Sequence, residues 1–413
     1  MSELLALYGG PKSKTTPFAT GKRFTSEEVN EVTELLQGNS LFYRNGGKTA
    51  KMEERMCELY CMQYAVACSS GTAAVHIAVA ALGIGPGDEV LMPAITDMGS
   101  IIGVLYQGAI PIFLDMDQDT FNFDINDLEK KITPKTKAIM VVHYMGNPCN
   151  MDAIMDMAGK HNLYVIEDCA QSPHARHKGK LVGTMGHIGC FSFNDIKHVS
   201  TGDGGICITN DANLAGQMRM YTDKAYCRKT PVVKFSEFLA PNYRISDLCS
   251  AVGYAQLGKL DALTKRRHYI AQAINKTMES IDGLNPMQVS EGSFCSYWFY
   301  LARLEEDEIG VSRNEFVEAM NGEGIPVNGS HTPTPVYDYG VFKNLNAFPG
   351  TGYPFVSKDF DSNYSYKNTD CPNAQPLLDK TVIIRINEFF SDQDIADICK
   401  ALEKVAKYYR KGK

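Results

Sequence analysis

The sequence predicts an α/β protein built on a mainly parallel sheet, and three observations carry that expectation. Short apolar, β-rich runs alternate with helical stretches through the first half of the chain. Alternation of this kind folds into strands joined by right-handed helical crossovers. Leu163–Ile166 is a continuous apolar run closed by Glu167-Asp168. That is the pattern of a strand buried on both faces, delivering a carboxylate at its C-terminal end, where such sheets bind ligands. The length, 413 residues, exceeds one simple core, so two domains are expected.

Taken in order, residues 1–24 are rich in Gly, Pro and Lys and read as an arm or loop. Thr25-Ser-Glu-Glu28 fits a capping box and opens a helix that stops at Gly38. The loop NSLFYRNGGKT follows; its Tyr43, Arg44 and Gly46-Gly47 suit a site lining and a plain surface loop equally. A helix near 48–62 leads to a strand from Ala65, and Ser69-Ser-Gly-Thr72 opens the next helix. Gly83-Ile-Gly85-Pro-Gly87 follows a helix and precedes a strand, the wrong order for a dinucleotide fingerprint, so it reads as a helix end and turn. Strands are expected at Glu89–Pro93, within Ala109–Asp117 and at Ala138–His143, with helices at Ile125–Ile132 and 151–161.

Further on, the helical pattern runs from Ser246 to about Ile281, interrupted only by Gly253 and Gly258. Cys295–Arg303 reads as a strand holding the only tryptophan, Trp298. Ser312-x-x-Glu315 is a second capping box. Residues 335–376 read as a long loop, Thr381–Ile386 as a strand, and a last amphipathic helix runs from Ser391 to about Tyr409.

Composition narrows the function. Apolar content of 44% and charged content of 22% are ordinary globular values. A net charge of −7 argues against a nucleic-acid surface. The basic clusters are scattered, at Lys130-Lys131, Lys265–Arg267 and Arg410-Lys411. Twelve cysteines occur with no Cys-x-x-Cys pair, as expected of buried, reduced thiols. No leader and no membrane-length apolar window stands out, so a soluble cytoplasmic protein is expected. His174 and His177 lack acidic or thiol partners at ligand spacing, and no metal site is expected.

Three stretches carry chemistry. In Phe191–Gly205, Lys197 sits between a short apolar run and a glycine-rich turn. A lysine forms Schiff bases best when its amine is desolvated, although a solvated loop lysine is the commoner case. The carboxylate of Asp168 ends a predicted buried strand. Pyridoxal phosphate (PLP) needs this pair: a lysine for its aldehyde and an acid beside its ring nitrogen. Gly71 and Thr72 open a helix whose free N–H groups suit a phosphate, though Ser and Thr are also ordinary helix caps.

Together, SSGT, EDCAQ, FSFNDIK…GDGG and the later NYRISDLCSAVGYAQL resemble the DegT-type family of PLP-dependent sugar aminotransferases, in order and spacing along nearly the whole chain. The resemblance implies the fold type I PLP-transferase architecture. That means a large domain, residues 1–280, with a mainly parallel seven-stranded sheet between helices, and a smaller C-terminal α+β domain, residues 281–413. It implies Lys197 as the Schiff-base lysine and Asp168 as the partner of the pyridine nitrogen. Gln171 would contact the ring hydroxyl, and Gly71, Thr72 and Ser192 would hold the phosphate. Asn242 would reach the phosphate of a partner subunit, in a homodimer with shared sites. The bland alternative is that Asn242 caps a helix of its own chain.

Within that resemblance the expected reaction moves an amino group from glutamate or glutamine to a nucleotide-linked keto-sugar or a keto-cyclitol. Arg228-Lys229 could serve a diphosphate or be a solvated pair. The alternatives are a PLP-dependent sugar dehydratase and a non-catalytic PLP-binding regulatory protein. Dehydratases of this family carry His where Lys197 stands, and His198 is one residue off that position. One departure matters: the family's ring-stacking aromatic after Thr96 is replaced by Asp97, followed by Met98.

Overall fold

The computed structural model describes residues 3–45, 47–226, 236–358, 365–368 and 370–410. Strands β1 (Tyr64–Cys68), β2 (Glu89–Pro93), β3 (Ile110–Leu114), β4 (Thr136–Val142) and β5 (Tyr164–Asp168) are followed by a small hairpin, β6 (Arg176–His177) and β7 (Lys180–Leu181), and then by β8 (Ile188–Ser192) and β9 (Gly205–Thr209). Seven of them form one sheet in the order β1-β9-β8-β5-β4-β2-β3. The ladders from β8 across to β3 are parallel, and only β9 runs antiparallel to its neighbours β1 and β8. The residues of β2, β3 and β8 are buried throughout, which is why these runs do not alternate in polarity.

A second, four-stranded antiparallel sheet follows: β10 (Leu284–Pro286), β11 (Tyr300–Leu304), β12 (Val327–Asn328) and β13 (Thr381–Ile384), in the order β10-β11-β13-β12. The α/β fold with a smaller α+β part is therefore as expected. We propose that the two parts divide near residue 280, with the N-terminal arm bound to the second. Glu323 accepts from the backbone N–H groups of Ala6 and Ser13, both at 2.8 Å, and Lys14 Nζ pairs with Asp394 Oδ1 at 2.6 Å. The arm is thus bonded to the C-terminal part of the chain.

Both predicted capping boxes form, at Thr25/Glu28 and Ser312/Glu315. The expected single helix from Ser246 to Ile281 is two, Asp247–Leu257 and Leu260–Met278. Gly258 ends the first by bonding back to Ala255 and Gln256. Gly253 does not interrupt it: a Cβ there would come within 2.8 Å of Met52, so glycine allows the close approach of the Lys48–Tyr60 helix.

Two other expectations change. The strand predicted over Cys295–Arg303 begins only at Tyr300, because the chain turns through a left-handed residue at Tyr297 (φ 47°) and carries Trp298 inward. The described parts of 335–376 are not simply a long loop: they hold short helical turns at Val336–Asp338, Gly340–Lys343 and Tyr366–Asn368. Phe342 and Tyr366 pack on Phe113, with ring centroids 5.0 and 5.6 Å away, and Tyr366 OH donates to Pro111 O at 2.8 Å. Phe342 and Tyr366 thus lie over strand β3, which ends the sheet order and would otherwise be an open edge. Among the described cysteines Cys61 is exposed, contrary to expectation, and most of the others are buried. No helix of the described residues is long and apolar enough to cross a membrane.

Candidate active site

At the C-terminal end of β5 the side chains of Glu167 and Asp168 point to opposite faces, as successive strand residues must. Glu167 is wholly buried and accepts from the N–H groups of Gly183, Met185 and Gly186 at 2.6–2.8 Å, and from His143 Nε2 at 3.1 Å. Burial opposes its charge, but these donors, His143 foremost, hold its carboxyl below the ordinary range. Its oxygens are occupied, so this knot ties the strand to the next loop.

Asp168 turns instead into a cavity of about 280 Å³. Its carboxylate accepts from Ser100 Oγ at 2.7 Å and from Ala170 N–H at 3.0 Å. Burial pushes this carboxyl up, while Ser100, Ala170 and the charge of Lys197 pull the other way.

Lys197 stands on the link between β8 and β9. That link is tied down: the Arg23 guanidinium donates to the carbonyls of Asp195 and Lys197, and Trp298 Nε1–H donates to Ile196 O at 2.8 Å. The amine lies 3.6 Å from the Trp298 ring centroid. Burial lowers it to about 8 against the opposing charges of Asp168 and Asp97. It is therefore neutral in a useful fraction near neutrality, as a nucleophilic amine must be.

The third wall is the start of the helix Gly71–Ala81. Ser70 Oγ caps it by accepting from Ala73 N–H at 3.0 Å, and Gly71 and Thr72 line the cavity. Their first-turn N–H groups have no acceptor within the helix. A Cβ on Gly71 would come within 2.6 Å of Ser192 Cβ, so only glycine lets the helix start sit against the end of β8. Gln171 also lines the cavity, with its Oε1 held by Met145 N–H at 2.8 Å.

The fold thus gathers Gly71, Thr72, Asp168, Gln171, Ser192 and Lys197 around one cavity. Asn242 is not among its lining. It is exposed, and the following helix is capped by Ser246, which accepts from Cys249 N–H at 3.2 Å, so Asn242 is not that cap. The neighbouring Tyr243 anchors the loop, bonding His76 Nδ1 at 2.8 Å.

Asp97 lines the cavity while Met98 packs against the core; Asp97 Oδ1 accepts from Gly99 N–H at 2.8 Å. His198, next to Lys197 in the chain, is fully buried and bonds Ser296 O at 3.0 Å. It cannot replace Lys197. Tyr43 and Arg44 line a different cavity, with Glu53 and Arg219. Gly46, Arg228 and Lys229 lie outside the described residues. The sequence reading missed Ser100, His331 and the role of Trp298. Ser100 pairs with Thr96 Oγ1 at 2.8 Å, a spacing of four that was visible but said nothing of Asp168.

Over residues 22–356 the chain matches the DegT/DnrJ/EryC1/StrS aminotransferase family. The chain belongs to that family. It is accordingly an aminotransferase. It is 32% identical to the spore coat polysaccharide biosynthesis protein SpsC of Bacillus subtilis over 389 residues, spanning 92% of this chain and 95% of that one. It is 33% identical to GDP-perosamine synthase of Escherichia coli O157:H7 over 382 residues, 91% of this chain and 98% of the relative. The aminotransferase structure from Psychrobacter cryohalolentis superposes with a TM-score of 0.82 at 29% identity, covering 95% of this chain and all of that one (100%). Family membership implies PLP as the cofactor.

Proposed function

We propose that this aminotransferase uses PLP to move an amino group from glutamate or glutamine to a keto-sugar, nucleotide-linked as the synthase relative's name suggests, or to a keto-cyclitol, in amino-sugar synthesis. The observation that carries the proposal is the opposition of Lys197 and Asp168 across one cavity whose third wall is a helix start. The residues suit the cofactor. Gly71 and Ser192 form a cradle that a Cβ would fill, and the adjoining first-turn N–H groups suit a phosphate. Asp168 is a buried acid fit to face a ring nitrogen, and Lys197 is a desolvated amine.

When bound, PLP supplies an electron sink for the bond breaking at the donor Cα. The chain's own groups do the rest. Lys197 would hold the cofactor through its amine and, once free, would carry a proton as general base and acid. Asp168, fixed by Ser100, supplies the negative charge that keeps a ring nitrogen protonated. Gln171, held through its Oε1 by Met145 N–H, would be the group that meets the ring hydroxyl. Asp97 stands where an aromatic ring is usual, and its carboxylate offers an acceptor to a hydroxylated substrate.

We further propose a cytoplasmic homodimer in which each chain lends Asn242 to its partner's site. The exposure of Asn242 and the anchoring of its loop through Tyr243 support this reading. The test of the activity is spectral. A simple amino acid should convert the bound cofactor to its pyridoxamine form, and a keto-sugar should convert it back. A protein that binds PLP but never shifts with any amino donor would overturn the proposal.

A further inference from the structure

We propose that the indole face of Trp298 is the resting place of the Lys197 amine whenever that amine is free, keeping the lysine inside the cavity between the two halves of the reaction. The inference rests on the reading of Lys197 as the Schiff-base lysine. Its ground is the position of Nζ, 3.6 Å from the ring centroid, well inside the range of a cation–π contact.

The ring is held on every side. Trp298 is 2% exposed. Its Nε1–H donates to Ile196 O at 2.8 Å, so the shelf is bonded to the residue just before the lysine it serves. Its own backbone N–H donates to Met145 O at 2.9 Å and its carbonyl accepts from Arg267 at 2.8 Å. Phe299 stacks on it with centroids 4.5 Å apart, and His331 meets it edge-on at 5.3 Å. A freed lysine on four flexible carbons would otherwise scatter among rotamers and lose its alignment with the reacting carbon.

The charges around the amine suit a reversible hold. Asp168 and Asp97 favour the ammonium and burial disfavours it. His198 and His331 are both kept neutral by burial. Arg385 lies beyond, 5.6 Å from the Phe299 ring. The amine therefore passes between a cation attracted to the indole and a neutral base at a pH of about 8.

The test uses the full chain loaded with pyridoxamine phosphate, in which Lys197 is free. Acetic anhydride labelling over a pH series, with peptide mapping, gives the pH of half-labelling at Lys197. In Trp298→Leu the wall stays apolar but the π face is gone, so that pH should fall by roughly half a unit to one unit. Trp298→Phe should lie between, and kcat should fall more than KM for the donor rises. A Leu variant whose half-labelling pH is unmoved or raised overturns the proposal.

Should the Leu variant not fold, the unmutated chain decides. Trp298 is its only tryptophan, so its fluorescence should step at the same pH as Lys197 labelling, and Lys197→Ala should abolish the step. A flat profile overturns the proposal. Borohydride fixing PLP on another lysine would instead sink the assignment of Lys197, so the two failures are distinguishable.

Discussion

Ser100 Oγ donates to Asp168 Oδ2 across 2.7 Å, binding the first turn of one helix to the end of strand β5. This bond lowers the carboxyl against the burial that raises it. Ser100→Ala should leave cofactor binding intact and cut kcat roughly tenfold, the scale of one hydrogen bond to a charged group. With that donor gone the carboxyl rises further, so activity that needs the carboxylate should fail at a higher pH on the acid side. A pH–rate profile whose acid limb does not move would contradict this.

Asp168→Asn keeps the size and removes the charge. The donor should still bind, while deuterium exchange at its Cα slows severely. Near-normal exchange would count against the assigned role.

Lys197→Ala should still hold PLP, noncovalently, because the helix start and Asp168 remain. Turnover should be lost, and the borohydride label found on Lys197 in the unmutated protein should be absent from the variant's peptide map.

Gly71→Ala adds a Cβ within 2.6 Å of Ser192 Cβ. Neither backbone can yield without opening the cradle. We expect PLP affinity to drop at least about tenfold, the order of losing one charged hydrogen bond, with the overall fold kept. Equilibrium dialysis against PLP measures it.

Asn242→Ala chains mixed with Lys197→Ala chains should regain part of the activity, since one site of each mixed dimer escapes both lesions. No recovery would mean that each site is built from a single chain.

Away from the site, Glu28 accepts from Thr25 N–H, Gln256 Nε2 and Lys259 Nζ at 2.6–2.8 Å. Burial opposes its charge, but Lys259 and the other donors overcome it and hold the carboxyl at about 2. A depressed carboxyl stabilises the fold above its unfolded value, 4.5, and that stability is lost as pH falls towards 2. Glu28→Gln should therefore lower the unfolding temperature at neutral pH and weaken its fall in acid, read by calorimetry.

The sequence by itself determined those elements whose ends carry local signals. The caps at Thr25 and Ser312, the strand Glu89–Pro93 and the helix Met151–His161 depend on spacings of a few residues, so they could be read locally. The same holds for Gly71, Asp168, Ser192 and Lys197. Each sits at the start of a helix, at the end of a strand or on a link between strands, and α/β topology brings such ends to one edge of the sheet. Their roles came from a family resemblance and not from spacing alone.

Only the tertiary structure decided which distant groups meet. Ser100 reaches Asp168, the Lys197 amine lies against Trp298, and Phe342 and Tyr366 pack on Phe113. None of these pairs shares a local period, so nothing in the chain's patterning announces them. Their contacts exist because burying Trp298, Phe342 and Tyr366 against the core removes apolar surface from water, and that gain depends on where the whole chain has already placed its neighbours.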